Sequence, residues 1–372
     1  MSRYHRPRKH QFVFASLFMT VGALLIGIAP DVSQARKELL TSVEKEQMRR
    51  TETIYLEVIA LTLRGAIDSA PVTKAATARL EQLGYRVIPE AGQPAEDVTV
   101  KVKCEEAKTW EGTGRSGGDA DMVDAAMRLW KGPACQVSYR FGSRTSNWRH
   151  EVRAEFSDAQ EAAKKAGQPD SGAYAVAALS EQIRKDTFPF LLAAELGQSS
   201  RLVPALDAAS TTSGQKVTLI DLLGNMMSIE TIPRLIAALK DPDPAIVHAA
   251  ATALGTIGHE DGIPPLLSLY KSSTPEQHRA AAVGLGRLAP LHPNSDIVPT
   301  LLGTLLQEPV PTQIILVRAL SKTTDRRALD PLRSLNRSIL TQARNDTSPE
   351  LKELKATIRT ALDQLYGPHT EE

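Results

Sequence analysis

The sequence predicts an α+β domain followed by an all-α array of repeated helical pairs, behind a short export segment. Three observations carry this reading. A basic stretch and an apolar run open the chain, strand-like alternation fills much of residues 53–156, and from residue 203 two sets of markers recur at a common spacing. The 372 residues suffice for two domains, each with its own core. A formal net charge of +1 gives no field to concentrate nucleic acid, and 5% aromatics give little surface on which bases could stack, so a nucleic-acid partner is not expected.

Arg3, Arg6, Arg8 and Lys9 precede an uncharged apolar run over residues 12–28. Pro30 breaks the run, and Ser33 and Ala35 place small residues at the −3 and −1 positions of a cleavage site. This is the layout of a secretory signal peptide, so residues 1–35 are assigned to export, with cleavage between Ala35 and Arg36. The competing reading is an uncleaved anchor over residues 12–28, a run of roughly 17 residues at the short limit for crossing a bilayer. Either way the charge asymmetry puts the remainder outside, periplasmic or extracellular, touching the inner membrane only through that segment if it is retained.

Residues 36–198 form the expected α+β domain, with a mostly antiparallel sheet. Residues 36–52 are a polar lead-in. Residues 53–62 (TIYLEVIALT) are rich in β-branched and aromatic side chains and read as a strand. Ser69 and Pro71 open a helix that Gly84 closes. Residues 85–88, 98–104, 135–141 and 148–156 read as four more strands; the alternation in 98–104 and 135–141 suits a sheet with one buried and one wet face. Residues 158–165 and 172–196 read as helices. The order β-α-β-β-β-β-α resembles the small docking domains of envelope proteins, a likeness of element order alone.

Two features of this half bear on chemistry. Cys104 and Cys135, the two cysteines, lie on segments read as neighbouring strands. In an oxidising compartment they form one bridge, whose closure stabilises by about 3 kcal/mol; their spacing is far from the C-x-x-C of a reactive dithiol. Gly114-Arg115-Ser116-Gly117-Gly118 matches G-x-S-x-G. A hydrolase elbow needs a buried strand before that serine and a helix after it. Here a polar stretch precedes Ser116, and the sole downstream histidine of the domain, His150, lies mid-strand, so the segment reads as a Gly-rich loop.

Residues 199–368 read as about five helical hairpins. Val203-Pro204, Ile232-Pro233, Ile263-Pro264, Val298-Pro299 and Leu329-Asp330 are each followed three residues on by Leu206, Leu235, Leu266, Leu301 or Leu332. A second series, Leu223-Gly224, Leu254-Gly255, Leu285-Gly286 and Leu320-Ser321, repeats at 31, 31 and 35 residues. Both series place one four-residue insertion in the loop 289–296. Two markers agreeing on one insertion define a stacked repeat. Each second helix carries an apolar stripe, such as Ala250/Ala253/Leu254/Ile257, and the alanine triplets 249–251 and 280–282 let helices approach closely. Asp243-Pro244 and Thr274-Pro275 mark helix starts, Thr274 with Gln277 fitting a capping box. The last helix opens at Ser348-Pro349, and its charged face (Lys352, Glu353, Lys355, Arg359, Asp363) suits a terminal cap.

On these residues, 229–269 above all, the region resembles HEAT repeats of the phycobilisome-lyase-like type. Asp330 and Ser321 depart from the pattern and weaken the repeat count rather than the architecture. The resemblance implies relatives that attach bilins to proteins and others, the deoxyhypusine hydroxylases, that hold two irons through several His-Glu pairs. This chain has a single such pair, His259-Glu260, in an inter-helix turn, which cannot build a dinuclear site. No cofactor, metal or catalytic residue is therefore expected. A curved array offers a face for a protein partner, and helical phase nominates His248, Thr252, His278, Arg279 and Arg318 as contacts. The expected function is an exported, non-enzymatic interaction scaffold. The alternatives are a lipid- or glycan-binding envelope protein and an enzyme, bilin-lyase-like or a hydrolase using Ser116.

Overall fold

Alternation of apolar and polar side chains builds the first half. The computed structural model describes residues 41–89, 98–112, 128–142, 144–154, 158–168, 170–271, 274–342 and 348–366; the export segment, the Ala35–Arg36 bond and Ser116 lie outside them. Helix α1 (Ser42–Arg49) starts from a closed capping box, Glu44 N–H donating to the Thr41 hydroxyl while Thr41 N–H donates to the Glu44 carboxylate. Strand β1 (Thr53–Thr62) turns into the two-residue β2 (Gly65–Ala66). Helix α2 (Ala70–Gln82) follows, and there the Asp68 carboxylate, not the Ser69 hydroxyl, takes the Ala70 N–H, at 2.9 Å. Gly84, at φ +81°, ends this segment in the left-handed conformation open to glycine.

The remaining strands are β3 (Arg86–Ile88), β4 (Val98–Gly112), β5 (Arg128–Phe141) and β6 (Arg144–Arg153). They form a six-stranded sheet in the order β2-β1-β4-β5-β6, with β3 also paired to β1. Ile54 pairs with Val87 on one side and Val98 on the other, so β3 and β2 share the outer edge of β1. Both β3 and β4 run parallel to β1, while the β1–β2, β4–β5 and β5–β6 pairs are antiparallel. The sheet is therefore mixed, with three of its five strand pairings antiparallel, as a mostly antiparallel sheet requires. The crossover through α2 returns the chain in its original direction, and alternation alone does not encode direction. Strands β4 and β5 also extend well beyond residues 98–104 and 135–141, past an irregularity between Glu105 and Lys108.

Val100, Val102 and Cys104 of β4 and Cys135, Val137 and Tyr139 of β5 are buried on one face, which α4 (Ser171–Lys185) crosses with α2 beside it. Helix α3 (Ala159–Lys165) is capped by Asp158. The expected helix 172–196 breaks in two. Asp186 ends α4 and accepts Phe188 N–H at 2.7 Å, and Pro189 sits in the first turn of α5 (Phe188–Glu195).

The second half is five consecutive helical pairs: α6 (Ser199–Asp207) with α7 (Ser213–Asn225), α8 (Ile232–Ala238) with α9 (Pro244–Ile257), α10 (Ile263–Tyr270) with α11 (Pro275–Leu288), α12 (Ile297–Thr304) with α13 (Val310–Ser321), and α14 (Leu329–Gln342) with α15 (Pro349–Tyr366). The leucine markers of both series are buried, from Leu206 and Leu223 to Leu320 and Leu332. Losing one such side chain to alanine costs about 2–5 kcal/mol, so the markers recur because the core needs them. The insertion 289–296 folds back on the preceding repeat, His292 Nε2 lying 2.8 Å from the Gly258 carbonyl oxygen. Asp243 caps α9 as expected, through Ala245 N–H. Thr274 instead gives its hydroxyl to the Gln277 side-chain oxygen and makes no bond to the α11 backbone, so that capping box does not close.

The described residues pack as one compact unit. Two side chains at the start of the array stitch it to the sheet region. The Gln198 amide donates to the Thr51 and Arg49 carbonyls at 2.8 and 3.0 Å while its oxygen accepts the Tyr85 hydroxyl. The Arg201 guanidinium reaches the Gly84, Leu83 and Thr51 carbonyls and lies 4.3 Å over the Tyr85 ring. Burial raises the Tyr85 hydroxyl pKa strongly, and the Arg201 charge only partly offsets this.

Candidate functional site

The second helices α7, α9, α11, α13 and α15 pack side by side. Small residues make this possible. A Cβ on Gly224 would stand 2.9 Å from Ala253 Cα, one on Gly255 would stand 2.6 Å from the Gly284 carbonyl oxygen, and one on Gly286 would stand 2.8 Å from Ala319 Cβ. The Leu-Gly markers thus serve two purposes: the leucine enters the core and the glycine lets adjacent second helices touch.

Away from the core this layer presents one polar face. Repeat spacing puts Asp221, Thr252, Val283 and Arg318 at equivalent positions, with His248 and Arg279 one turn before and Thr256 and Arg287 one turn after. Asp221, His248, Arg279, Arg287 and Arg318 are exposed. Burial pushes the Asp221 carboxyl up, and the charges of His248 and Arg287 pull it back, so three successive repeats interact across this face. Arg287 donates to the Thr256 hydroxyl, and Arg318 pairs with Glu353 of α15 at 2.7 Å. The Thr252 hydroxyl is buried without a hydrogen-bond partner.

Four of the five nominated contacts, His248, Thr252, Arg279 and Arg318, therefore share this face. His278 does not. It turns toward the next repeat, with Nε2 2.8 Å from Glu308 Oε1, Nδ1 on the Tyr270 carbonyl, and its ring stacked 4.0 Å from the Tyr270 ring. The Tyr270 hydroxyl meets Thr304 Oγ1 at 2.6 Å and donates to Glu308 Oε1 at 3.2 Å. Burial first, and then the Glu308 charge, raise the pKa of that hydroxyl. His278 is thus a strut between repeats. Above it lies a cavity of about 430 Å³ between the starts of α11 and α13, lined by Pro275, Pro309, Pro311, Thr312 and Arg279 among others.

In the sheet region Cys104 and Cys135 face each other across β4 and β5 and are joined by a disulfide. His150 Nε2 lies 2.8 Å from Asp186 Oδ1, at the break between α4 and α5. Glu106 is buried and accepts from Ser171 and from Leu63 N–H beside a recess of about 110 Å³. His259 accepts Asp261 N–H in the turn before α10. Among the described residues no group of three or more His, Cys, Asp or Glu side chains is placed to hold a metal ion.

Residues 199–286 match the family of HEAT repeats. No curated protein matches the chain. The matched stretch runs from α6 to near the end of α11, and α12–α15 continue the same pairing beyond it. HEAT repeats commonly serve as protein-interaction scaffolds and are generally non-catalytic.

Proposed function

We propose that the chain is an exported interaction scaffold whose second-helix face docks a protein partner in the cell envelope, with the sheet domain as a second docking module braced by Cys104–Cys135. The single observation that carries this is the face of adjacent second helices along which Asp221, His248, Arg279, Arg287 and Arg318 are exposed. Stacked repeats form extended surfaces of this kind, and their rigidity lowers the entropic cost of docking. The basic and apolar layout of residues 1–35 supports export, and the disulfide suits an oxidising compartment.

Site-specific photocrosslinking in cells tests the reading. A crosslinking residue at His248 or Arg318 is expected to capture one discrete protein, and one at Arg333 of α14 is not. Equal capture from all three positions, or from none, would overturn it.

A further inference from the structure

We propose that the cavity between the starts of α11 and α13 binds an acidic linear segment of a partner protein, seating one apolar side chain among its prolines and one carboxylate against Arg279. This rests on the docking reading and names the chemistry of the partner. At about 430 Å³ the cavity holds a large side chain. Pro275, Pro309 and Pro311 present ring carbons and no N–H group, so an apolar residue entering between them strands no backbone donor. The wall is already fixed. Tyr270 is 2% exposed, and His278 is tied to both its carbonyl and Glu308, so little ordering remains to be done on binding.

Charge selects the ligand. Glu308 lines the cavity, but its side chain is 9% exposed and already accepts from His278 and Tyr270. Arg279 is exposed and has no ion pair among the described residues, whereas Arg318 and Arg234 are paired with Glu353 and Asp207. A free guanidinium beside an apolar cavity fits a carboxylate through two parallel hydrogen bonds. A smaller recess of about 170 Å³ adjoins on the α9 side, sharing Thr274, and carries Asp241 and Glu276. It disfavours an acidic residue there and so favours the acid on the Arg279 side.

The test is selection of random dodecapeptides displayed on phage against the full-length protein, followed by fluorescence anisotropy of the enriched peptide. The expected result is a consensus with an apolar residue next to Asp or Glu. Arg279→Glu should weaken binding about tenfold or more without moving the melting temperature. A peptide with its acid changed to Lys should then bind Arg279→Glu more tightly than the unaltered protein. No enrichment, a basic or purely apolar consensus, or an affinity indifferent to Arg279→Glu would overturn the proposal. If crosslinking from His248 captures a partner in cells and Arg279→Glu leaves that capture intact, the cavity assignment fails while the docking reading stands.

Discussion

The two halves of this protein solve close packing in opposite ways. In the sheet region distant residues are brought together: β1 pairs with β4 some forty residues on in the chain, and Cys104 is bonded to Cys135 at a separation of 31. In the array each second helix touches mainly the second helix before and after it, through glycine and alanine. The sheet region depends on a few specific long-range links, whereas the array spreads its stability over many equivalent small ones. The same difference suits the array for display, because repetition presents equivalent positions in register along a face.

Removing the disulfide should produce the largest effect and show whether the contrast holds. In the chain-entropy account, a loop of this length contributes about 3–4 kcal/mol. Replacing Cys104 and Cys135 together by Ala should lower the unfolding free energy by about that much, with the largest loss of hydrogen-exchange protection in the strands. Equal loss of protection in α9 and α11 would show that the halves do not differ as argued. The array has its own most sensitive point. A Cβ on Gly284 would lie 2.5 Å from the Ala251 carbonyl oxygen, which belongs to backbone and cannot swing aside. Gly284→Ala should cost about 2–3 kcal/mol in a denaturant titration. Gly303→Ala in α12, where a Cβ meets nothing within 4 Å, should add about 0.5–1 kcal/mol.

Repetition also decides what the sequence discloses. The recurring leucines located both helices of each pair and the insertion at 289–296, because each marker was seen several times in different surroundings. Nothing repeats in the sheet region. Alternation found the strands but not their direction, and the phase shift between Glu105 and Lys108 hid the outer part of β4. The same limit applies to the site. Helical phase placed His248, Thr252, Arg279 and Arg318 on one face. Asp221, 31 residues before Thr252, and Arg287, 31 after Thr256, were legible by the same rule and were missed. Glu308, Tyr270 and Thr304 were not legible, since they meet only through contacts between successive repeats.

The junction tests whether the two halves unfold separately. Arg201→Ala removes a cation lying over Tyr85 and leaves the Gly84, Leu83 and Thr51 carbonyls without it. The expected cost is about 2 kcal/mol, and a single calorimetric transition should broaden or split in two. An unchanged single transition would mean that Gln198 and the apolar packing around it suffice to couple the halves.

The smallest expected loss of stability sharpens the contrast from the sheet side. Lys108 of β4 reaches across β5 to Glu151 of β6 at 2.6 Å, with both side chains largely buried. Burial acts to raise the Glu151 carboxyl, but hydrogen bonds and charge from Lys108 and Arg153 outweigh it and hold the carboxyl below its ordinary value. A carboxyl depressed in the folded state stabilises fully above its unfolded pKa and loses that contribution as pH falls through the folded value. Glu151→Gln should therefore lower stability by about 1 kcal/mol at neutral pH, and the difference from the unaltered protein should shrink below about pH 4 and then vanish. Urea titrations of both proteins across that range check it. A difference that stays constant with pH would assign the effect to packing of the side chain, and would leave the disulfide and the backbone pairing as the links that hold β4, β5 and β6 in register.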